Sequence, residues 1–133
     1  MDRPVLVGWS GSEVSNRALD VAAEIAHHRG VPLRVVLGWD FLDQPGYEFD
    51  PQITPEKVQR VLEAAVAPIR VRYPELLVTC DALMGWAPAV VCDAAELADL
   101  LVVGRSAKTA GHFGDWTPDV LVRRVAVPVI YVP

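Results

Sequence analysis

The feature that most constrains this chain is an alternation. Short apolar runs rich in valine and leucine are separated by stretches with helical periodicity. The runs are Val5-Leu6-Val7, Leu33 to about Trp39, Leu77 to Met84, Leu100 to Val103 and Val127 to Val132. Glycines Gly8, Gly38, Gly85 and Gly104 fall at or near the carboxyl ends of the first four. Runs this short and this nearly continuous in apolar character fit strands covered on both faces, as in a parallel sheet.

The intervening stretches carry start and stop signals. Ser12 is placed to N-cap a helix reaching about Arg29, with Val14, Ala18, Ala22, Ile25 and Ala26 on one face and Gly30 as its stop. Thr54 and Pro55 read as the cap and first position of a second helix, whose apolar stripe is Val58, Val61, Leu62, Ala65 and Ile69. Pro68 is expected to kink or fray its last turn. Pro88 opens a third helix bearing Val91, Ala94, Ala95 and Ala98, and Thr117-Pro118-Asp119 signals a short fourth. Strands and helices in strict alternation predict an α/β fold: a doubly wound parallel sheet with helices on both faces and right-handed crossovers. The length of 133 residues leaves room for one such domain, spanning 1–133.

Composition removes several classes of function. Hydrophobic residues make up 52% and charged residues 22%, which argues against disorder. The net charge of −5 steers neither a nucleic-acid backbone nor an anionic membrane toward this surface. Cys80 and Cys92 lie among apolar neighbours, outside any metal-ligand or redox spacing, and are expected as buried thiols. No signal peptide precedes the first run and no run reaches membrane-spanning length, so a cytoplasmic location is expected.

In open parallel sheets ligands bind beyond the carboxyl ends of the strands, where the strand order reverses. That rule selects Gly8 to Ser12, Gly38 to Asp40, Met84 to Trp86, and Gly104 to Thr117. The last of these, Gly104-Arg105-Ser106-Ala107-Lys108-Thr109-Ala110-Gly111-His112-Phe113-Gly114, offers glycines, hydroxyls and two cations ahead of a helix N-terminus, a set suited to phosphate. A solvated polar loop has the same composition. Residues 40–53 mix aromatics with acids and read equally as a lid or partner surface, or as a long connection packing Phe41 and Phe49 onto the sheet edge. The final run should form an edge, exposed unless a second copy pairs with it through Val127, Val129 and Tyr131.

Other chemistries fit less well. Gly8-Trp9-Ser10-Gly11-Ser12 falls one residue short of the esterase elbow G-x-S-x-G. A hydrolase using Ser10 with His112 as base stays a remote alternative, because the elbow normally sits deep in a longer chain. Glu13 opposes a flavodoxin-like phosphate cradle at the same turn. The acidic cluster of a phosphoacceptor domain and the P-loop motif are both missing from the sequence. His27 and His28, adjacent on a helix, cannot face one metal.

In order and spacing, several segments together resemble the universal stress protein family over essentially the whole length. Val5-Leu6-Val7-Gly8-Trp9-Ser10-Gly11-Ser12 followed by Arg17-Ala18-Leu19 is similar to the family's opening strand, D-G-S turn and A-L helix. Met84-Gly85-Trp86-Ala87-Pro88-Ala89 resembles its G-x-P segment, and Leu100-Leu101-Val102-Val103-Gly104 its D-L-[LIV]-V-[VM]-G strand. Val120 to Val132, with Arg123 and Pro128, is similar to its closing strand. The resemblance implies a five-stranded sheet of order 3-2-1-4-5 and dimerisation through the last strand. In some members it implies ATP binding through G-x2-G-x9-G-[ST] and the Asp of D-G-S.

This chain departs from the ATP-binding pattern. Ser10 stands at the Asp position of D-G-S, Ala107 at the second motif glycine, and Asp115 or Trp116 near the final hydroxyl. An acid aimed at a triphosphate repels it at contact range. The expected site is therefore a degraded or altered nucleotide cleft lined by Ser10, Gly11, Ser12, Gly85, Gly104, Arg105 and Gly114, in a binding or regulatory module without catalysis. The alternative is a member that binds ATP with Mg²⁺ at the same residues.

Overall fold

The computed structural model describes residues 2–39, 54–85, 87–105 and 125–133. Along them run β1 (Val5–Gly8), α1 (Glu13–Arg29), β2 (Leu33–Trp39), α2 (Pro55–Arg72), β3 (Val78–Met84), α3 (Ala87–Ala95), β4 (Leu100–Gly104) and β5 (Val129–Val132). The strands form one sheet in the order β3-β2-β1-β4-β5, and every neighbouring pair is parallel. The chain starts in the centre, builds outward through β2 and β3, then returns to the far side of β1 for β4 and β5. The direction of winding reverses between β1 and β4.

Strand pleating divides the core in two, because successive side chains point to opposite faces. Val5, Val7, Leu33, Val35 and Val102 meet Leu19, Ala22 and Leu62 on the face covered by α1 and α2. Leu6, Val36, Leu101 and Val103 meet Val91, Cys92 and Ala95 on the α3 face. The three residues Val5, Leu6 and Val7 are all 0% exposed, as strands covered on both faces require. Each such side chain contributes roughly 1.5–3 kcal/mol of burial.

The helix ends follow their signals. Ser12 is extended (φ −74°, ψ 160°), and its Oγ accepts from the Ser15 N–H at 3.2 Å. Gly30 takes the left-handed conformation at φ 66°, where the Gly30 and Val31 N–H groups donate to the last carbonyls of α1. Thr54 Oγ1 accepts from the Lys57 N–H at 3.2 Å.

Three expectations need correction. Val61 is 58% exposed, whereas Val66, absent from the expected stripe, is fully buried. At 100° per residue, Val66 lies on the flank of α2 shared by Gln59 and Arg70, and that flank is turned toward β3. Pro68 lies inside α2, which runs another turn to Arg72. Its ring and Ala64, whose carbonyl loses the bond, are both exposed, so water takes up the orphaned acceptor. β3 begins at Val78, leaving Leu77 63% exposed. β5 begins at Val129 rather than Val127, because Pro128 has no N–H to donate and stands at the strand's entrance. The predicted fourth helix and the segments 40–53 and 106–116 lie outside the described residues. Among the described residues, no helix is long and apolar enough to cross a membrane.

Candidate functional site

The reversal of winding puts the candidate site at the carboxyl tips of β1 and β4. Gly8 pairs in register with Val103, so the turn leaving β1 emerges beside Gly104. Trp9 holds this turn down. Its indole is 7% exposed, its N–H donates to the Val36 carbonyl at 3.0 Å, and its Nε1 donates to Asn16 Oδ1 at 2.8 Å. The last bond ties the strand end to the first turns of α1. No periodicity in the sequence points to it.

Gly11 then turns the chain at φ 85°, in the left-handed region that favours glycine. It delivers two hydroxyls to the N-terminus of α1. Ser10 Oγ and Ser12 Oγ are hydrogen-bonded at 3.0 Å, and Ser15 Oγ donates to the Ser12 carbonyl at 2.8 Å. Ser10 and Ser12 are half-buried, at the positive end of the helix dipole. Ser10 thus has a hydroxyl as its partner among the described residues; His112 lies outside them.

On the β4 side, Gly104 has a packing role. A Cβ there would fall 2.9 Å from the carbonyl carbon and oxygen of Val14, closer than real contacts permit. The tip of β4 therefore lies directly against the first turn of α1. Arg105 follows, exposed, with its backbone N–H donating to the Val132 carbonyl. That N–H is committed to the sheet, which leaves the guanidinium as the group Arg105 can present to a ligand.

Ser10, Gly11, Ser12, Gly104 and Arg105 are thus gathered at one junction. Gly85 is not part of that junction. It caps β3 at φ 143°, donates to the Trp39 carbonyl at 2.7 Å, and is separated from β1 by β2. Gly114 lies outside the described residues. No group of three or more His, Cys, Asp or Glu side chains is placed to hold a metal among the described residues. Cys80 and Cys92 are both buried, and neither forms a disulfide among the described residues. Burial, helped by the Glu63 carboxylate, pushes the Cys80 thiol up to about 11, so it stays protonated at neutral pH.

Two concavities lie away from this junction. One of about 290 Å³, between Ala26, Gly30, Pro32 and Leu76, opens at the opposite end of the sheet. Another of about 370 Å³ lies on the α3 face between Leu83, Val90 and Leu97.

A parallel α/β sheet with glycine turns and a capped helix N-terminus at its switch point defines a class of small ligand-binding modules. The family model described as the universal stress protein family matches residues 1–133, and the chain belongs to that family. A universal stress protein from Archaeoglobus fulgidus in complex with dAMP is 26% identical and superimposes with a TM-score of 0.71, over 98% of each chain. A protein of the family from Burkholderia pseudomallei is 26% identical, with a TM-score of 0.70, covering 98% of this chain and 96% of its own. A universal stress protein in complex with cAMP reaches a TM-score of 0.72 at 23% identity, over 99% of this chain and 98% of that one, a likeness of fold. No curated protein matches this chain.

Proposed function

We propose that this chain is a non-catalytic binding module of the stress response, acting as one cytoplasmic domain over residues 1–133. Its cleft lies between the tips of β1 and β4 and has lost contacts that hold a triphosphate. The observation that carries this reading is the Ser10–Ser12 pair: a neutral hydroxyl stands at the acidic position of the family turn, bonded to the helix cap at 3.0 Å. A neutral pair offers Mg²⁺ no carboxylate and leaves the helix dipole and the Arg105 guanidinium as the attractive elements for a phosphate. Ala107 and Asp115, at motif positions of the following segment, weaken the triphosphate further in sequence terms.

Calorimetric titration tests this. With millimolar ATP and Mg²⁺ no binding heat is expected. Micromolar affinity would replace this reading with the alternative of an ATP-binding member, which the dAMP complex of a 26% identical structure favours. In that case Ser10, Gly11, Ser12, Gly104 and Arg105 line the phosphate end, with Gly85 and Gly114 as further contacts.

A homodimer through β5 belongs to the same proposal. The side chains of Val127, Val129 and Tyr131 pack against the α3-side core, so the strand's outward backbone, rather than these side chains, is what a second copy would meet. A monomer in sedimentation at micromolar concentration removes this part of the reading. The net charge of −5 argues against nucleic acid and anionic membrane as partners.

A further inference from the structure

At the outer edge of β3 the polar side chains of α2 are spent on backbone and on one another. Gln59 Nε2 donates to the Cys80 carbonyl at 2.9 Å, and Gln59 Oε1 accepts from the Ala82 N–H at 2.8 Å. Arg70 Nη2 donates to the Val78 carbonyl at 3.0 Å, and Glu63 accepts from both Gln59 and Arg70. Glu75 is placed differently. It lines the concavity of about 290 Å³ at the amino-terminal end of the sheet. Its carboxylate has no ion-pair partner among the described residues. A turn fixes its position. The Leu76 N–H donates to the Tyr73 carbonyl at 3.0 Å, with Pro74 and Glu75 at the two central places. Proline presets the backbone of the first of them.

The wall around Glu75 offers acceptors and apolar surface. The N–H groups of Gly30 and Val31 are committed to the His27 and Ala26 carbonyls at 3.2 and 3.1 Å, and that of Leu76 to Tyr73. Pro32 has none to give. The carboxyl end of α1 forms part of this wall, so the negative end of its dipole lies there. No lysine or arginine lines the concavity among the described residues. Leu77 supplies an apolar rim, 63% exposed although its carbonyl is bonded to the Leu33 N–H at 2.9 Å. The His27 ring is seated against Tyr73, with centroids 4.8 Å apart. We propose that this concavity is a binding site for a small alkylammonium ion. The charged head lies against Glu75 and the end of α1, and the chain lies along Leu76 and Leu77. A positive head is attracted by the carboxylate and the helix end together, whereas an anion is repelled by both. The apolar rim favours a ligand with a hydrocarbon chain over a hydrated metal ion, which gains nothing by covering leucine. At about 290 Å³ the space is at the small end of ligand cavities and suits a short amine. The site and the β1–β4 cleft are at opposite ends of the sheet, so the inference stands whether or not that cleft binds nucleotide.

The test is titration of the full chain with butylammonium chloride, followed by amide shifts in nuclear magnetic resonance, with sodium chloride at matched strength as the blank. Saturable shifts are expected at Gly30, Val31, Leu76 and Leu77. The neutral isostere 1-butanol and the anion butyrate should bind more weakly. Glu75→Gln, a change at an exposed turn, should weaken butylammonium about threefold or more. N-acetyl-lysine amide should also bind more weakly than butylammonium, because its amides would lose water against the apolar rim. Absence of saturable shifts overturns the proposal. So does binding of 1-butanol as tight as that of butylammonium, or an unchanged affinity in a folded Glu75→Gln variant. If that variant fails to fold, the comparison of butylammonium with 1-butanol in wild type decides. Tighter binding of the lysine amide overturns the assignment to a free amine and gives the site to a lysine side chain.

Discussion

The two edges of the sheet are built on opposite plans. At the β3 edge, the polar flank of α2 supplies Gln59 and Arg70 to the outward backbone groups, and Glu63 is bonded to both of them. At the β5 edge, four apolar residues pack their side chains inward, and among the described residues no side chain bonds to the outward backbone of Val129. One edge is finished by its own chain and the other is finished, on our reading, by a second copy. The difference shows that protecting an edge and stabilising the elements beside it are separate tasks. Next to β3, apolar residues of α2 carry stability and polar ones satisfy the edge. Next to β5, close packing of β4 on α1 carries stability.

The largest effect that would sharpen this contrast is expected from Leu62→Ala. Leu62 is fully buried, and its truncation should cost about 3 kcal/mol in denaturant unfolding. A loss below about 1 kcal/mol would mean that α2 is held mainly by its polar flank. Next comes Gly104→Ala on the other side. The added Cβ meets the Val14 backbone at 2.9 Å, and rigid main chain yields only by shifting α1 or β4, at a cost of about 2 kcal/mol. A neutral outcome would show that the two elements are loosely seated.

The smallest effect concerns acid. The Arg70 hydrogen bond holds the Glu63 carboxyl below its ordinary value. A carboxyl depressed in the folded state contributes stability above its unfolded value, and that contribution fades as pH falls through the folded one. Glu63 is well exposed, so the effect is a slight one in stability. It should be visible as faster exchange of the Ala82 amide on acidification below the ordinary carboxylate range, after correction for intrinsic exchange. An unchanged Ala82 rate across that range would mean that Gln59 holds its place without Glu63.

Much of this was legible in the residues. Three successive side chains without exposure at Val5, Leu6 and Val7, the Ser12 cap and the Gly30 stop all follow from local chemistry that needs no knowledge of distant neighbours. The strand order came through the family resemblance, because alternation alone does not say on which side of β1 the chain returns. What escaped were features that depend on how one element is rotated against another. Val61 and Val66 differ in burial because the β3 side of α2, and not the centre of its stripe, fixes the angle. Gln59 reads as an ordinary surface residue until the helix is placed against β3. Gly104 reads as a turn or a ligand contact, whereas the space it leaves is filled by Val14.

The missing side chain at position 104 also serves as a gauge. With 2.9 Å between a hypothetical methyl carbon and the opposing main chain, any relative carrying a larger residue there must hold its first helix further from the fourth strand. The mouth of its crevice would then be wider by a comparable amount. One letter of sequence thus reports a spacing that would otherwise have to be measured.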